Sequence, residues 1–154
     1  MGNVTQIHQM IMNLCTNAAD AMEENGGTLN VSLEKKASGG DGKTAGLHSQ
    51  PGDYLEIRVS DTGVGIAREN IESIFNPYFT TKEGEKGTGL GLSVVHGIVE
   101  THGGKISVES SPGNGTCFTI CLPVLEKTIP ETKKYPNLCL WEMSAYSLSM
   151  MNHR

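Results

Sequence analysis

The sequence predicts an α/β (α+β) two-layer sandwich, in which a mixed, largely antiparallel sheet packs on about three helices. An amphipathic helix opens the chain, strand-like segments lie on both sides of further helical segments, and Pro112-Gly113-Asn114-Gly115 marks a late hairpin. The elements do not alternate strand with helix as a doubly wound parallel sheet requires. The two-layer arrangement is therefore favoured.

The first helix is predicted from apolar residues that recur at spacings of three and four. They are Ile7, Met10, Ile11, Leu14, Ala18, Ala21 and Met22, and Gly26-Gly27 is expected to end the helix. Two strands follow with alternating apolar residues, the first through Leu29, Val31 and Leu33 and the second through Leu55, Ile57 and Val59. A loop rich in glycine, serine and lysine joins them over about 37–51.

The second half of the chain predicts two more helical segments and a hairpin. A short helical stretch covers Arg68 to Phe75, and a longer helix covers about Leu90 to Thr101. The polar residues at 80–89 between them are expected to form a loop. Strands over Lys105 to Ser110 and Thr116 to Leu122 pair through the hairpin turn.

Length and composition indicate one globular domain in a chain of 154 residues, of which 37% are apolar and 19% charged. No apolar run approaches the roughly 18 residues of a membrane span, so we expect no membrane contact by this segment. The net charge of -5 disfavours nucleic acid as a partner. The four cysteines form no metal-binding or Cys-x-x-Cys spacing, which indicates reduced thiols and a cytoplasmic location.

The chain divides into a domain at 1–125 and a tail at 126–154. The last glycine is Gly115, and beyond Glu126 the apolar residues follow neither a helical nor a strand period. Because such a tail has no apolar face to bury, we expect it to be disordered.

The first helix also carries a polar face. Asn13, Asn17 and Asp20 are spaced by four and three positions, which places them on one side of the helix. An amide oxygen is a neutral ligand suited to Mg²⁺, which keeps several waters and is shared with substrate phosphates. An ordinary solvated helix face is the alternative interpretation.

A glycine-rich turn directly follows the second predicted strand, with the sequence Asp61-Thr62-Gly63-Val64-Gly65-Ile66. Its glycines permit positive φ and a close approach of a ligand to the backbone. The Asp61 carboxylate is able to accept a hydrogen bond from an exocyclic amine. Taken alone, the motif is equally compatible with a tight turn.

Two further motifs flank the predicted loop at 80–89. Ile74-Phe75-Asn76-Pro77-Tyr78-Phe79-Thr80-Thr81-Lys82 indicates an apolar anchor that leads into a flexible strap, with a packed loop as the alternative. Gly87-Thr88-Gly89-Leu90-Gly91-Leu92 opens the longer helix, where free backbone N–H groups favour phosphate. Its spacing matches neither the Walker loop nor the Rossmann fingerprint.

In this order, the four motifs resemble the N, G1, F and G2 boxes of the catalytic ATP-binding domain of sensor histidine kinases. That domain belongs to a superfamily shared with gyrase, heat-shock chaperones and mismatch-repair proteins. The resemblance covers residues 3–124 and implies a site for ATP and Mg²⁺ beneath a lid loop.

The resemblance assigns each motif a part of this site. It implies that Asn17 binds Mg²⁺ with Asn13 beside it, and that Asp61 accepts from the adenine amine, with Thr116 in the adjacent strand. The other nucleotide-binding residues that it implies are Gly63, Gly65, Ile66, Thr80, Thr81, Lys82, Lys86, Gly87, Thr88, Gly89, Leu90, Gly91 and Leu92.

Asn13 bears on whether the site transfers phosphate or hydrolyses ATP. By the resemblance, hydrolysing members carry a glutamate one turn before the metal-binding asparagine, where it activates water. An amide cannot act as a general base. The site is therefore expected to hold ATP for transfer to an acceptor.

The resemblance also implies partners: a dimerisation domain with a phosphoacceptor histidine, and a response regulator or receiver domain. None of the five histidines in the sequence is followed by an acidic residue, as the acceptor would be. We therefore expect a fragment of a larger kinase, truncated at its N-terminus, whose parent protein could be membrane-anchored. A receiver start in the tail would make that parent a hybrid kinase. A free-standing serine/threonine kinase of the anti-sigma-factor type and an inactive ATP-binding fragment stay open as alternatives.

The tail is compatible with a frameshifted linker and receiver start. Trp141-Glu142 must be encoded TGG-GAR, and Met150-Met151-Asn152 must be encoded ATG-ATG-AAY. A frame that starts two bases later gives Gly at the first site and Asp-Glu at the second, with codons between them that permit an apolar strand. Coincidence within a natural tail is the alternative. We expect the shifted frame of the gene to continue as a receiver, and an early stop in that frame would refute the idea.

Overall fold

The computed structural model describes residues 3–37, 53–81 and 87–124. The loop predicted between the first two strands, Lys82 and Lys86 of the predicted lid, and the tail at 126–154 lie outside this range, apart from Ala37 at the start of that loop.

Two α-helices and four strands form in the predicted order. α1 spans Val4–Ala21, β1 Leu29–Lys36, β2 Tyr54–Asp61, α2 Gly91–Thr101, β3 Lys105–Ser110 and β4 Thr116–Pro123. Asn3 caps α1, because its side-chain oxygen accepts a hydrogen bond from the Thr5 N–H at 3.0 Å. Neither helix of the described residues is long and apolar enough to cross a membrane.

The strands form a sheet in the order β1-β2-β4-β3, and every neighbouring pair among these described strands is antiparallel. The predicted two-layer α/β fold is confirmed. The register places Asp61 of β2 opposite Thr116 of β4, and Thr116 opposite Ser110 of β3. Because opposed residues of antiparallel strands point to the same face, these three side chains form a row at one end of the sheet.

The segment predicted as a short helical stretch over Arg68 to Phe75 is helical only at its start. A 3-10 helix forms at Arg68–Asn70, and hydrogen-bonded turns continue from it to Asn76. Pro77 disfavours the helical conformation for the residue before it and cannot itself donate a backbone hydrogen bond. The stretch that remains before the proline is too short to propagate an α-helix.

The core lies between the two helices and one face of the sheet. Its most deeply buried large side chains are Met10, Leu14, Val95, Val99 and Ile120. Each such side chain contributes about 1.5–3 kcal/mol when it is fully removed from water. This packing fixes α1 and α2 over the sheet, and so fixes the polar groups that these elements present at the sheet's end.

Candidate nucleotide-binding site

A cavity of about 550 Å³ opens between α1, the N-terminus of α2 and the segment that joins β2 to α2. The predicted site residues that line it are Asn13, Asn17, Asp61, Gly65, Ile66, Thr80, Thr81, Gly87, Thr88, Gly89, Gly91, Leu92 and Thr116. Gly63 and Leu90 adjoin these residues in the chain but do not line the cavity. A concave site of this volume suits a nucleotide-sized ligand.

Asp61 ends β2 at the base of the cavity, and only 7% of the residue is exposed. Its Oδ1 atom accepts two hydrogen bonds, from the Gly63 N–H at 2.9 Å and from the Thr116 N–H at 3.2 Å. Among the residues that the structure describes, no donor reaches Oδ2. Burial raises the pKa of Asp61, and the hydrogen bonds from Gly63 and Thr116 oppose that rise. The protein thus orients this carboxyl group and leaves one oxygen for a ligand.

The glycine-rich turn after β2 is clamped between two neighbouring backbones. A Cβ atom at Gly63 would lie 2.6 Å from the Ala21 carbonyl oxygen at the end of α1. Gly65 has a φ of 73°, and a Cβ atom there would collide with the Ser111 carbonyl of the β3–β4 hairpin. Close backbone packing therefore requires glycine at both positions, whether or not a ligand is bound.

The polar face of α1 meets the start of α2. The side-chain N–H of Asn13 donates to the Gly91 carbonyl at 3.2 Å. A Cβ atom added at Gly91 would lie 3.8 Å from the Asn17 amide nitrogen, so the two amides flank the same backbone. Asp20 lines the cavity next to them. The structure therefore brings together the three side chains that their spacing predicts on one face.

The glycine-rich segment before α2 closes the other side of the cavity. Gly89 has a φ of 65° and packs on the Tyr78 backbone, where a Cβ atom would collide. The Tyr78 N–H donates to the Gly89 carbonyl at 2.9 Å, which joins the segment before the predicted lid to the last residue of that lid. The N-cap residue of α2, Leu90, makes no side-chain cap hydrogen bond, and the Thr88 hydroxyl accepts only from the Leu90 N–H, at 3.4 Å. The first-turn N–H groups of α2, at Gly91 and Leu92, are therefore available to an external acceptor at the positive end of the helix dipole.

The profile of one protein family, described as histidine kinase-, DNA gyrase B- and HSP90-like ATPase, matches residues 2–126. The chain belongs to this family. Sensor kinase CckA of Brucella abortus is 44% identical over 120 residues, which make up 78% of this chain and 13% of CckA. The chain thus spans about an eighth of the length of this curated relative.

Solved structures place the chain in the histidine kinase branch of the family. The mycobacterial sensor histidine kinase MprB aligns with a TM-score of 0.60 and 27% identity, over 79% of this chain and 72% of that one. Full-length ShkA in complex with AMPPNP aligns with a TM-score of 0.56 and 27% identity, over 77% of this chain and 21% of ShkA. The chain is therefore a histidine kinase-type ATP-binding domain.

Several residues that line the cavity of this ATP-binding domain were absent from the predicted site. They are Thr16, Ala18, Asp20, Ala21, Val64, Asn70, Ile74, Phe79 and Phe118. Phe118 lies two residues after Thr116 on β4, so the alternation of a strand was a signal that could have identified it. Asn70 ends the 3-10 helix, and no spacing in the sequence pointed to it.

The donor set of the ATP-binding domain fits Mg²⁺ only as an ion shared with a ligand. Within 3–37, 53–81 and 87–124, no cluster of three histidine, cysteine or acidic side chains could hold a metal ion. The amide of Asn17 supplies one neutral oxygen at the cavity wall. Mg²⁺ accepts such partial ligation, because it binds through one or two protein groups together with waters and substrate phosphates.

Proposed function

We propose that this domain binds Mg-ATP in the cavity and donates the γ-phosphate to a histidine on a dimerisation domain supplied by another segment or chain. The observation that carries the proposal is the cavity itself, which joins an oriented carboxylate at one end to an uncapped helix N-terminus at the other. The AMPPNP complex of the similar ShkA supports ATP as the ligand.

The base end of the proposed site is built by Asp61 and the apolar walls. Oδ2 of Asp61 accepts a hydrogen bond from the adenine amine, since Oδ1 is already used by two backbone N–H groups. Ile66, Ile74 and Phe118 supply apolar surface for the purine ring. This combination of apolar walls and a few placed polar groups is typical of small-molecule sites.

The phosphate end is built by α2 and α1 together. The N–H groups of Gly91 and Leu92 and the positive end of the helix dipole favour the charged triphosphate. Mg²⁺ bound by Asn17 would supply further charge neutralisation. Lys82 and Lys86 stay proposed phosphate ligands that lie outside the described residues.

The arrangement at Asn13 supports transfer over hydrolysis. Its amide donates to the Gly91 carbonyl at 3.2 Å, so the residue ties α1 to α2 and offers no base to a water molecule. In the transfer step, an imidazole nitrogen of the acceptor forms a bond to the γ-phosphorus while the bond to the bridging oxygen breaks and ADP leaves. The phosphorylated histidine would then pass its phosphoryl group to a response regulator or receiver domain in the cytoplasm.

A phosphotransfer assay tests this proposal. We expect the isolated chain to bind Mg-ATP and to remain unlabelled with radiolabelled ATP, because the acceptor histidine is absent from it. A histidine-bearing dimerisation domain from a related sensor kinase, added in trans, should then acquire acid-labile label. The same domain with its acceptor histidine changed to glutamine is the control.

The other outcomes of this assay separate the alternatives. Acid-labile label on the chain alone would show that the chain carries its own acceptor, and so would refute the need for a separate dimerisation domain. Acid-stable label on a serine of an anti-anti-sigma protein would select the serine/threonine kinase. ATP binding without label on any acceptor would reduce the proposal to a binding module.

A further inference from the structure

The hydroxyl of Ser110 joins the three segments that surround the base end of the cavity. Its Oγ atom lies 2.8 Å from the Ile66 nitrogen in the glycine-rich turn and 2.8 Å from the Gly115 carbonyl oxygen in the hairpin. It also lies 3.0 Å from the Thr116 hydroxyl oxygen. Ser110 itself does not line the cavity, whereas Thr116 and Ile66 do.

The number of protons fixes the direction of each of these hydrogen bonds. A serine hydroxyl has one proton to donate and two lone pairs that accept. The Ile66 N–H can only donate, and the Gly115 carbonyl can only accept, so the single Ser110 proton points to Gly115. The third contact then requires that the Thr116 hydroxyl donates its proton to Ser110.

This arrangement decides what Thr116 offers to a ligand. Its only hydroxyl proton is committed to Ser110, and its backbone N–H donates to Asp61 Oδ1. Thr116 therefore presents lone pairs to the cavity, beside the available Oδ2 of Asp61. Asp61 Oδ2 and the Thr116 hydroxyl oxygen thus form a pair of acceptors, which suits an amino group and repels a carbonyl oxygen.

We propose that Ser110 is a positioning residue for purine selection, which holds the Thr116 hydroxyl as an acceptor and so favours a 6-aminopurine over a 6-oxopurine. This inference rests on the proposed function, since it assumes that the purine occupies the base end at Asp61. Ser110 acts through the Thr116 hydroxyl and does not touch the nucleotide. Without it, the Thr116 proton is free to turn toward the cavity and to bind a carbonyl.

The test compares the dissociation constants of ATP and inosine triphosphate, which carry an amine and a carbonyl at the same ring position. The ratio of the two constants measures selection directly. We expect Ser110→Ala to lower the selectivity for ATP roughly three- to tenfold, the size of one hydrogen bond. Ser110→Thr keeps a hydroxyl and should keep the ratio near that of the unchanged chain.

Ser107→Ala is the matched control. Ser107 lies on the same strand as Ser110, but three positions away and therefore on the opposite face of the sheet. A purely structural role for Ser110 would weaken both nucleotides equally and leave the ratio unchanged, which would overturn the proposal.

A double variant tests whether Ser110 acts through Thr116. Thr116→Val removes the hydroxyl at nearly constant volume and should itself lower the selectivity, whereas Thr116→Ser should preserve it. In the Thr116→Val background, Ser110→Ala should have no further effect on the ratio. Additive losses of selectivity in the double variant would overturn the proposal. A Thr116→Val variant with unchanged selectivity would also overturn it, and this test does not depend on whether Ser110→Ala folds. An unchanged chain that binds neither nucleotide would instead refute the proposed function.

Discussion

Asp61→Asn should lose most of its affinity for ATP while the domain remains folded. The asparagine retains Oδ1, which keeps the hydrogen bonds from the Gly63 and Thr116 N–H groups. It replaces Oδ2 by an NH₂ group. Because this group and the adenine amine are both hydrogen-bond donors, no hydrogen bond forms between them. Loss of a hydrogen bond to a charged group costs about 1.5–3 kcal/mol, which corresponds to roughly 10- to 150-fold in affinity.

The pH dependence adds a second readout for Asp61. Because burial raises its pKa, ATP affinity of the unchanged chain should fall as acid protonates this carboxyl group, and Asp61→Asn should lack that step. A carboxyl with a raised pKa favours folding in its protonated form, so the ionised group costs stability above that pKa. The variant should therefore melt no lower than the unchanged chain at pH 7.

Calorimetric titration with ATP and thermal melts measure both effects. Asp53→Asn removes the same charge at the other end of the sheet and is the control, since Asp53 pairs with Lys35 at 2.6 Å, away from the cavity. Unchanged ATP affinity in Asp61→Asn would show that the purine does not bind at this carboxylate.

Asn17→Asp should also weaken Mg-ATP binding, by roughly tenfold. The substitution keeps the size of the side chain and places a negative charge beside the triphosphate. Two negative charges about 4 Å apart repel each other by about 4 kcal/mol, and Mg²⁺ offsets part of this repulsion. The penalty should grow when EDTA removes the metal. Asn30→Asp adds the same charge on the exposed part of β1 and is the control. Equal affinities in Asn17→Asp and Asn30→Asp, with and without Mg²⁺, would remove Asn17 from the site.

Periodic segments of the sequence predicted the elements well. α1 and α2 carry regular apolar faces, and the hairpin signal placed β3 and β4 within one residue of their observed bounds. The short helical stretch predicted at Arg68 to Phe75 forms a helix only at Arg68–Asn70 and continues as turns, because Pro77 lies just beyond it. The spacing of apolar residues therefore predicts an element well where the chain is long enough to complete that element before a proline or glycine ends it.

The contacts between distant turns could not be predicted in the same way. Ser110 meets Ile66 and Gly65 packs on Ser111 only because the sheet order brings the hairpin beside the end of β2. The donor role of Asn13 likewise depends on the crossing of α1 and α2. Such contacts join residues more than 40 positions apart, and no spacing along the chain encodes them.

An amide-resolved NMR titration of the chain with Mg-ATP tests the central claim most directly. Saturable shifts should appear in the turn at 61–66, at Thr116 and at the start of α2 at Gly91 and Leu92, whereas Ser107 on the outer face of the sheet should not move. Shifts confined to other surfaces, or no saturable shift at all, would contradict the assignment of this cavity as the ATP site.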